Sequence, residues 1–350
     1  MVEPGRGMAA DIAEQPDVLA RLLGEQIGSI EAVAAEIARH RPRHVIFTAR
    51  GTSDHAALYG AYLTEIRLGV PAGLASPSAI TVYGARPDLR DCLVVGVSQS
   101  GGSPDLREVV RVAREQGALT LAVTNAPDSP LAQAAQLHVD VAAGPERAVA
   151  ATKTYTAELL ALLLLVEGVR GGGTVSRDER EALARLPELA ARTLDDPTAI
   201  EAAGRYRFAN RIVLTGRGYA YPTAREAALK LMETSYLPAL AFSGADLLHG
   251  PLAMADPDVP VVAVVGAGPG GAAMREVLAR VGERRADLLV VGPSDVDLPG
   301  TKRVPTPAVD ERHGALLDIL PLQRLALALA LARGEDPDAP RGLKKVTATL

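Results

Sequence analysis

Six residues, Ser98-Gln99-Ser100-Gly101-Gly102-Ser103, gather three hydroxyls and an amide between the apolar run Leu93–Val97 and a helical pattern opening at Pro104. A strand, a hydroxyl-rich loop and a helix start collect unpaired N–H groups at the positive end of a helix dipole, which suits a phosphate. Serines also cap helices and close turns, so one serine alone would mean little. Three of them, beside glycines that allow close backbone approach, point to an anion site. The order is neither Gly-x-x-x-x-Gly-Lys-Ser/Thr nor Gly-x-Gly-x-x-Gly, which favours a sugar phosphate over a nucleotide.

A second constellation is Glu226, Lys230 and Glu233, spaced i, i+4 and i+7 among Ala, Leu and Met residues. They share one helix face. On pattern alone this is an exposed, helix-stabilising ion-pair stripe. His249 sits in a Gly-flanked, Pro-terminated loop with Asp246 three positions before it. Loop histidines are commonly surface residues, so this one needs further support. No metal is expected: His40 and His44 have i, i+4 spacing, but Pro42 breaks a shared helix face, and no Cys or His cluster exists.

The elements that must position these groups are readable from periodicity. The chain has 350 residues, 48% of them apolar, enough for two cores. A net charge of −5 without a long basic cluster, and 3% aromatic residues, argue against nucleic acid and anionic membrane as partners. The apolar stretch Leu159–Val166 is too short to span a bilayer and the N-terminus has no signal pattern, so a cytoplasmic location is expected. The single cysteine, Cys92, opens an apolar strand and is expected to be buried and inert.

A helical arm is predicted over 1–42, interrupted near Pro16 and Gly28. Strands at 44–48, 92–97, 119–124 and 137–141 alternate with helices near 54–68, 104–116 and 151–169, giving a first α/β unit over 43–171. A helical linker over 172–208 follows Gly171-Gly172-Gly173. A second unit over 209–334 has strands near 211–215, 259–265 and 287–292 and helices near 223–236, 271–284 and 314–333, and a tail over 335–350 closes the chain. The units also begin alike, His44-Val45-Ile46-Phe47-Thr48-Ala49-Arg50-Gly51 against Arg211-Ile212-Val213-Leu214-Thr215-Gly216-Arg217-Gly218. In that register Ser98-Gln99-Ser100-Gly101 falls on Val265-Gly266-Ala267-Gly268, which keeps glycines and no hydroxyl. If the chain is a duplication, only the first copy kept an anion loop.

These motifs, with Gly51-Thr52-Ser53, Ala150-Ala151-Thr152-Lys153, Ala228-Leu229-Lys230-Leu231-Met232-Glu233, His249-Gly250-Pro251-Leu252 and Pro340-Arg341-Gly342-Leu343-Lys344-Lys345, resemble the sugar isomerase (SIS) domain family. The likeness is greatest to the isomerase half of the glucosamine-6-phosphate synthases. It implies an α/β fold of two tandem SIS subdomains, each a doubly wound, mainly parallel sheet flanked by helices. Ser53, Ser98, Gln99, Ser100 and Ser103 would hold the phosphate, with Glu146, Val149 and Lys344 as further sugar-binding positions. Glu233 would move the proton between C1 and C2, supported by Glu226 and Lys230. His249 would open the sugar ring, donated to the site of the neighbouring subunit of a homodimer. Lys345 would form an imine with the open-chain sugar or orient O1. Position 102 is Gly where those synthases carry an acid, and Ala151 stands for a serine.

Only a short arm precedes the first strand, with no glutaminase segment, so the resemblance points to stand-alone relatives acting on amino-sugar phosphates. The expected activity is a cofactor-independent glucosamine-6-phosphate deaminase and ketol-isomerase. Two alternatives stay open: a dehydratase that expels the C3 hydroxyl of N-acetylglucosamine 6-phosphate, and a non-catalytic sugar-phosphate sensor.

Overall fold

The computed structural model describes residues 3–293 and 302–345. The chain divides into two compact units. The first comprises Asp17–Glu146 and Lys153–Arg185, with Lys344 and Lys345. The second comprises the N-terminal residues up to Pro16, Arg147–Thr152 and Leu186–Leu343. The segment from 172 to 208 therefore divides between them. Helices Leu186–Asp195 and Thr198–Tyr206 bury Leu186, Leu189, Ala199 and Ala203 and pack on helix Glu311–Ala332 of their own unit.

The first unit holds strands β1 (His44–Thr48), β2 (Ala72–Leu74), β3 (Cys92–Ser98), β4 (Leu119–Thr124) and β5 (Leu137–Asp140). The second holds β6 (Ile212–Gly216), β7 (Ala239–Ser243), β8 (Val261–Val264), β9 (Leu288–Pro293) and β10 (Lys302–Thr306). Every pairing is parallel, and the orders are β2-β1-β3-β4-β5 and β7-β6-β8-β9-β10. Counted from its own first strand, each sheet runs 2-1-3-4-5, so the two units share one topology. The predicted doubly wound sheets are present.

Central strands are buried along their whole length, as in β3 and β4, because helices cover both faces of a parallel sheet. Helix Lys153–Arg170 is apolar almost all round and buried from Lys153 to Gly168, the behaviour of a core helix. Gly168 lets it meet helix Ile27–His40 closely: a Cβ there would stand 2.8 Å from that of Ala34. The arm is interrupted beside Pro16, as expected: helix Arg6–Ala13 ends before Glu14, and Pro16 lies in the first turn of helix Gln15–Arg21, where a missing N–H costs nothing. Helix Ile27–His40 ends at His40, with Arg41 left-handed, so His40 and His44 lie on different elements.

Among the described residues, helix Glu311–Ala332 is long and apolar enough to cross a membrane by length and composition. It contains Pro321 and buries 72% of its most apolar window inside the protein. Cys92 is a buried free thiol, and burial raises its pKa.

Candidate active site

In an open α/β sheet of this order, ligands meet the carboxyl ends of the strands where the winding reverses. In the first unit that place lies between β1 and β3. Ser53 follows β1 and Ser98 ends β3, so the fold delivers both to the switch point.

The loop after β3 is internally ordered. Ser98 Oγ accepts the Gly101 N–H at 3.1 Å and Ser100 Oγ accepts the Gly102 N–H at 3.2 Å. A hydroxyl that accepts a bond keeps its hydrogen to donate, so both serines still offer a donor to an anion. Ser103 is the residue before helix Pro104–Glu115, yet its side chain makes no capping bond. The capping explanation for that serine fails. Gly101 has φ +59°, and an added Cβ would stand 2.1 Å from Ser129 Oγ, so no other residue fits. Gln99 and Ser100 are half-buried, at the solvent edge of the loop.

Arg50, Asp105 and Glu158 were not singled out in the sequence. Arg50, after β1, is 2.8 Å from the buried Asp105 carboxylate in the first turn of helix Pro104–Glu115. The pair ties together the two turns that flank the switch point. A carboxylate in the first turn of a helix was the available signal. Ser53 Oγ donates to Glu158 Oε1 at 2.8 Å, which gives its hydrogen to a buried carboxylate. Glu146 accepts the N–H groups of Lys153 and Thr154 at 3.1 and 3.0 Å, so its carboxylate caps helix Lys153–Arg170. The structure thus gives Glu146 a structural role at that helix start.

The second unit carries the acid–base candidates. Helix Ala220–Ser235 places Lys230 Nζ 3.3 Å from Glu226 Oε1 and 2.5 Å from Glu233 Oε2. Lys230 and Glu226 are fully buried, and the Glu233 side chain is 23% exposed. This corrects the reading of an exposed ion-pair stripe. The face is covered because the helix packs on Glu311–Ala332, β6 and β7 of its own unit. Burial pulls the Lys230 ammonium down in pKa, but the Glu226 and Glu233 carboxylates outweigh it and hold the lysine above its ordinary value. Lys230 is a fixed cation between two acids, and Glu233 is the member of the trio that reaches solvent.

His249 follows helix Gly244–Leu248, exposed, its backbone N–H donating to the Asp246 carbonyl. The Asp246 carboxylate accepts the Ser243 hydroxyl at 2.8 Å. Asp246 therefore orders the helix start through Ser243. Val149 is half-buried in Arg147–Thr152 of the same unit.

Helix Ala220–Ser235 ends at Tyr236, left-handed at φ +51°. The Arg341 guanidinium stacks 3.8 Å above the Tyr236 ring, and the Arg341 N–H donates to the Tyr236 hydroxyl at 2.7 Å. The chain before the terminal lysines is thereby anchored to the end of the helix that carries Glu233. Lys344 is exposed and Lys345, the last described residue, is half-buried.

Among the described residues no three His, Cys, Asp or Glu side chains converge as metal ligands. An apolar cavity of about 370 Å³ in the first unit, lined by Ile37, Phe47, Leu93, Leu162 and Val166 among others, contains none of the candidate site residues.

The SIS domain profile matches residues 39–168 and 206–333, one match per sheet. A glutamine–fructose-6-phosphate aminotransferase (isomerizing) of Thermococcus kodakarensis is 36% identical over 97% of the chain and 57% of its own length. The chain spans a little over half the length of the curated relatives it matches. Among solved structures, the C-terminal domain of glucosamine-fructose-6-phosphate aminotransferase from Francisella tularensis superposes with TM-score 0.88 at 27% identity, covering 96% of this chain and 98% of that one. A chain from Silicibacter pomeroyi DSS-3, provisionally assigned as a phosphosugar isomerase, gives TM-score 0.86 at 33% identity over 95% and 99%.

Proposed function

Because this chain belongs to the SIS domain family, with two SIS repeats, we propose that it is a phosphosugar isomerase acting on glucosamine 6-phosphate, releasing ammonia and forming fructose 6-phosphate. The observation that carries this reading is the buried Glu226–Lys230–Glu233 trio with its single solvent-reaching carboxylate.

The chemistry runs as follows in that reading. Glu233 takes the proton from C2 of the open-chain aldose, and the electron pair forms a C1–C2 double bond as the C1 carbonyl oxygen takes up a proton. The resulting enolamine is protonated at C1, giving a C2 imine. Water adds to C2 and ammonia leaves, so one water is consumed. A carboxylate near C2 suits both proton transfers. Lys230 limits how far Glu233 wanders without being able to give up its own proton near neutral pH. The hydroxyl loop, with the donors of Ser98, Ser100 and Ser103, takes the phosphate. His249, exposed and with no hydrogen bond to its imidazole among the described residues, serves ring opening in the site of a second copy in a homodimer. Lys345 orients O1 or forms an imine there.

The experiment incubates the purified chain separately with glucosamine 6-phosphate and N-acetylglucosamine 6-phosphate, following ammonia, fructose 6-phosphate and ultraviolet absorbance. Ammonia and fructose 6-phosphate from the first are the expected result. An absorbing unsaturated product from the second alone identifies a dehydratase, and binding without turnover identifies a sensor; either overturns the proposal.

A further inference from the structure

The two units share a topology, so the loop after β8 stands where the hydroxyl loop stands after β3, at the switch point of its own sheet. It reads Val265-Gly266-Ala267-Gly268-Pro269-Gly270-Gly271 and opens helix Pro269–Glu283, as the first loop opens helix Pro104–Glu115, with proline at the first position of both helices. This second loop already holds an anion. Glu311 Oε1 accepts the Gly271 N–H at 2.9 Å and Oε2 accepts the Gly270 N–H at 3.2 Å.

The loop is also shaped around that carboxylate. A Cβ at Gly266 would stand 2.9 Å from Glu311 Cγ, one at Gly268 2.5 Å from Oε2, and one at Gly270 2.5 Å from Oε1. Three glycines thus leave room for an oxyanion and for nothing larger on their own side chains. The residue that supplies it is the first of the unit's last helix, Glu311–Ala332. The corresponding helix of the first unit begins at Lys153. Between the two units the hydroxyls are lost from the loop and the charge at the start of the facing helix is reversed.

We propose that the Val265–Gly271 loop is a second oxyanion site, kept closed by Glu311 as a built-in ligand, and that Glu311 is the residue that limits the chain to one phosphate. Removing the carboxylate frees two backbone N–H groups at the positive end of a long helix, a place fit for inorganic phosphate or a phosphomonoester. This holds whether or not the sugar chemistry proposed above is correct.

Equilibrium dialysis of the full chain against radiolabelled inorganic phosphate tests it, comparing wild type, Glu311→Ala and the shape-preserving Glu311→Gln. Glu311→Ala gains one equivalent of bound phosphate over wild type, and Glu311→Gln gains none. A folded Glu311→Ala chain that binds no more phosphate than wild type overturns the proposal. Hydrogen exchange on the wild-type chain needs no variant: residues 266–271 are protected before phosphate is added and stay unchanged after it. New protection of that segment on adding phosphate would show an open site and overturn the proposal. If wild type binds none and Glu311→Ala binds one, the closed second site stands while the phosphate role of Ser98–Ser103 falls.

Discussion

Lys230 Nζ lies 2.5 Å from the Glu233 carboxylate, yet the lysine is fully buried while the glutamate reaches solvent. The pair is thus asymmetric: one partner is fixed inside the helix packing and the other is held at the surface by it. A second carboxylate, Glu226, sits on the buried side at 3.3 Å. Removing the lysine takes away the ammonium that both carboxylates share.

Lys230→Met is therefore expected to destabilise the fold by about 3–5 kcal/mol, the usual cost of stripping one partner from a buried pair. Urea unfolding followed by circular dichroism measures it. A loss under about 1 kcal/mol, the range of an exposed pair, would contradict the buried geometry.

The loop after β3 depends on Gly101 for both conformation and space. Gly101→Ala forces a Cβ onto Ser129 Oγ at a positive φ, and it is expected to lower phosphate affinity at least as much as removing the Ser98 and Ser100 hydroxyls together. Calorimetric titration with inorganic phosphate compares the two variants. Unchanged affinity in both would remove the anion role from this loop.

Asp318 gives a pH signature. It is fully buried, accepts the Thr306 hydroxyl at 2.6 Å and has its pKa pushed up to about 7, chiefly by burial, with the Thr306 bond opposing and Glu311 adding repulsion. Unfolded, the same carboxyl titrates near about 4. Between those values the native chain keeps a proton that the unfolded chain has lost, so this group's stabilising contribution falls as pH rises from about 4 to about 7. Thermal melts over that range should show a steeper decline for wild type than for Asp318→Asn. Parallel curves would contradict the assignment.

The C-terminal anchor predicts a proteolytic phenotype. Tyr236→Ala removes both the ring under Arg341 and the hydroxyl that accepts its N–H, whereas Tyr236→Phe removes only the hydroxyl. Trypsin should cleave after Arg341 and Lys344 faster in Tyr236→Ala than in wild type, with Tyr236→Phe between. Equal cleavage in all three would show that the contact does not hold the segment.

Much of this was legible from residue order. Strand runs such as Leu93–Val97 and the hydroxyl loop that follows carry strong period and composition signals, and both sheets follow from them. The edge strands β2, β7 and β10 were missed, two of them for a plain physical reason: Ala72-Gly73-Leu74 is three residues long with a glycine, and Lys302–Thr306 carries two cations and Pro305, the polar and proline-bearing character of an exposed edge. The Glu226–Lys230–Glu233 spacing was visible, but its burial was not, because the covering comes from Glu311–Ala332, distant in sequence. Glu146 likewise read as a sugar contact, and only the folded loop shows its carboxylate on the Lys153 and Thr154 amides.

The central claim is that Glu233 carries the C2 proton. The most direct measurement is the rate of ammonia release and of solvent deuterium incorporation from glucosamine 6-phosphate by Glu233→Gln, with phosphate binding measured on the same preparation. Loss of both rates by about 10²-fold or more, with phosphate affinity retained, is the predicted result. Wild-type rates in Glu233→Gln would contradict it.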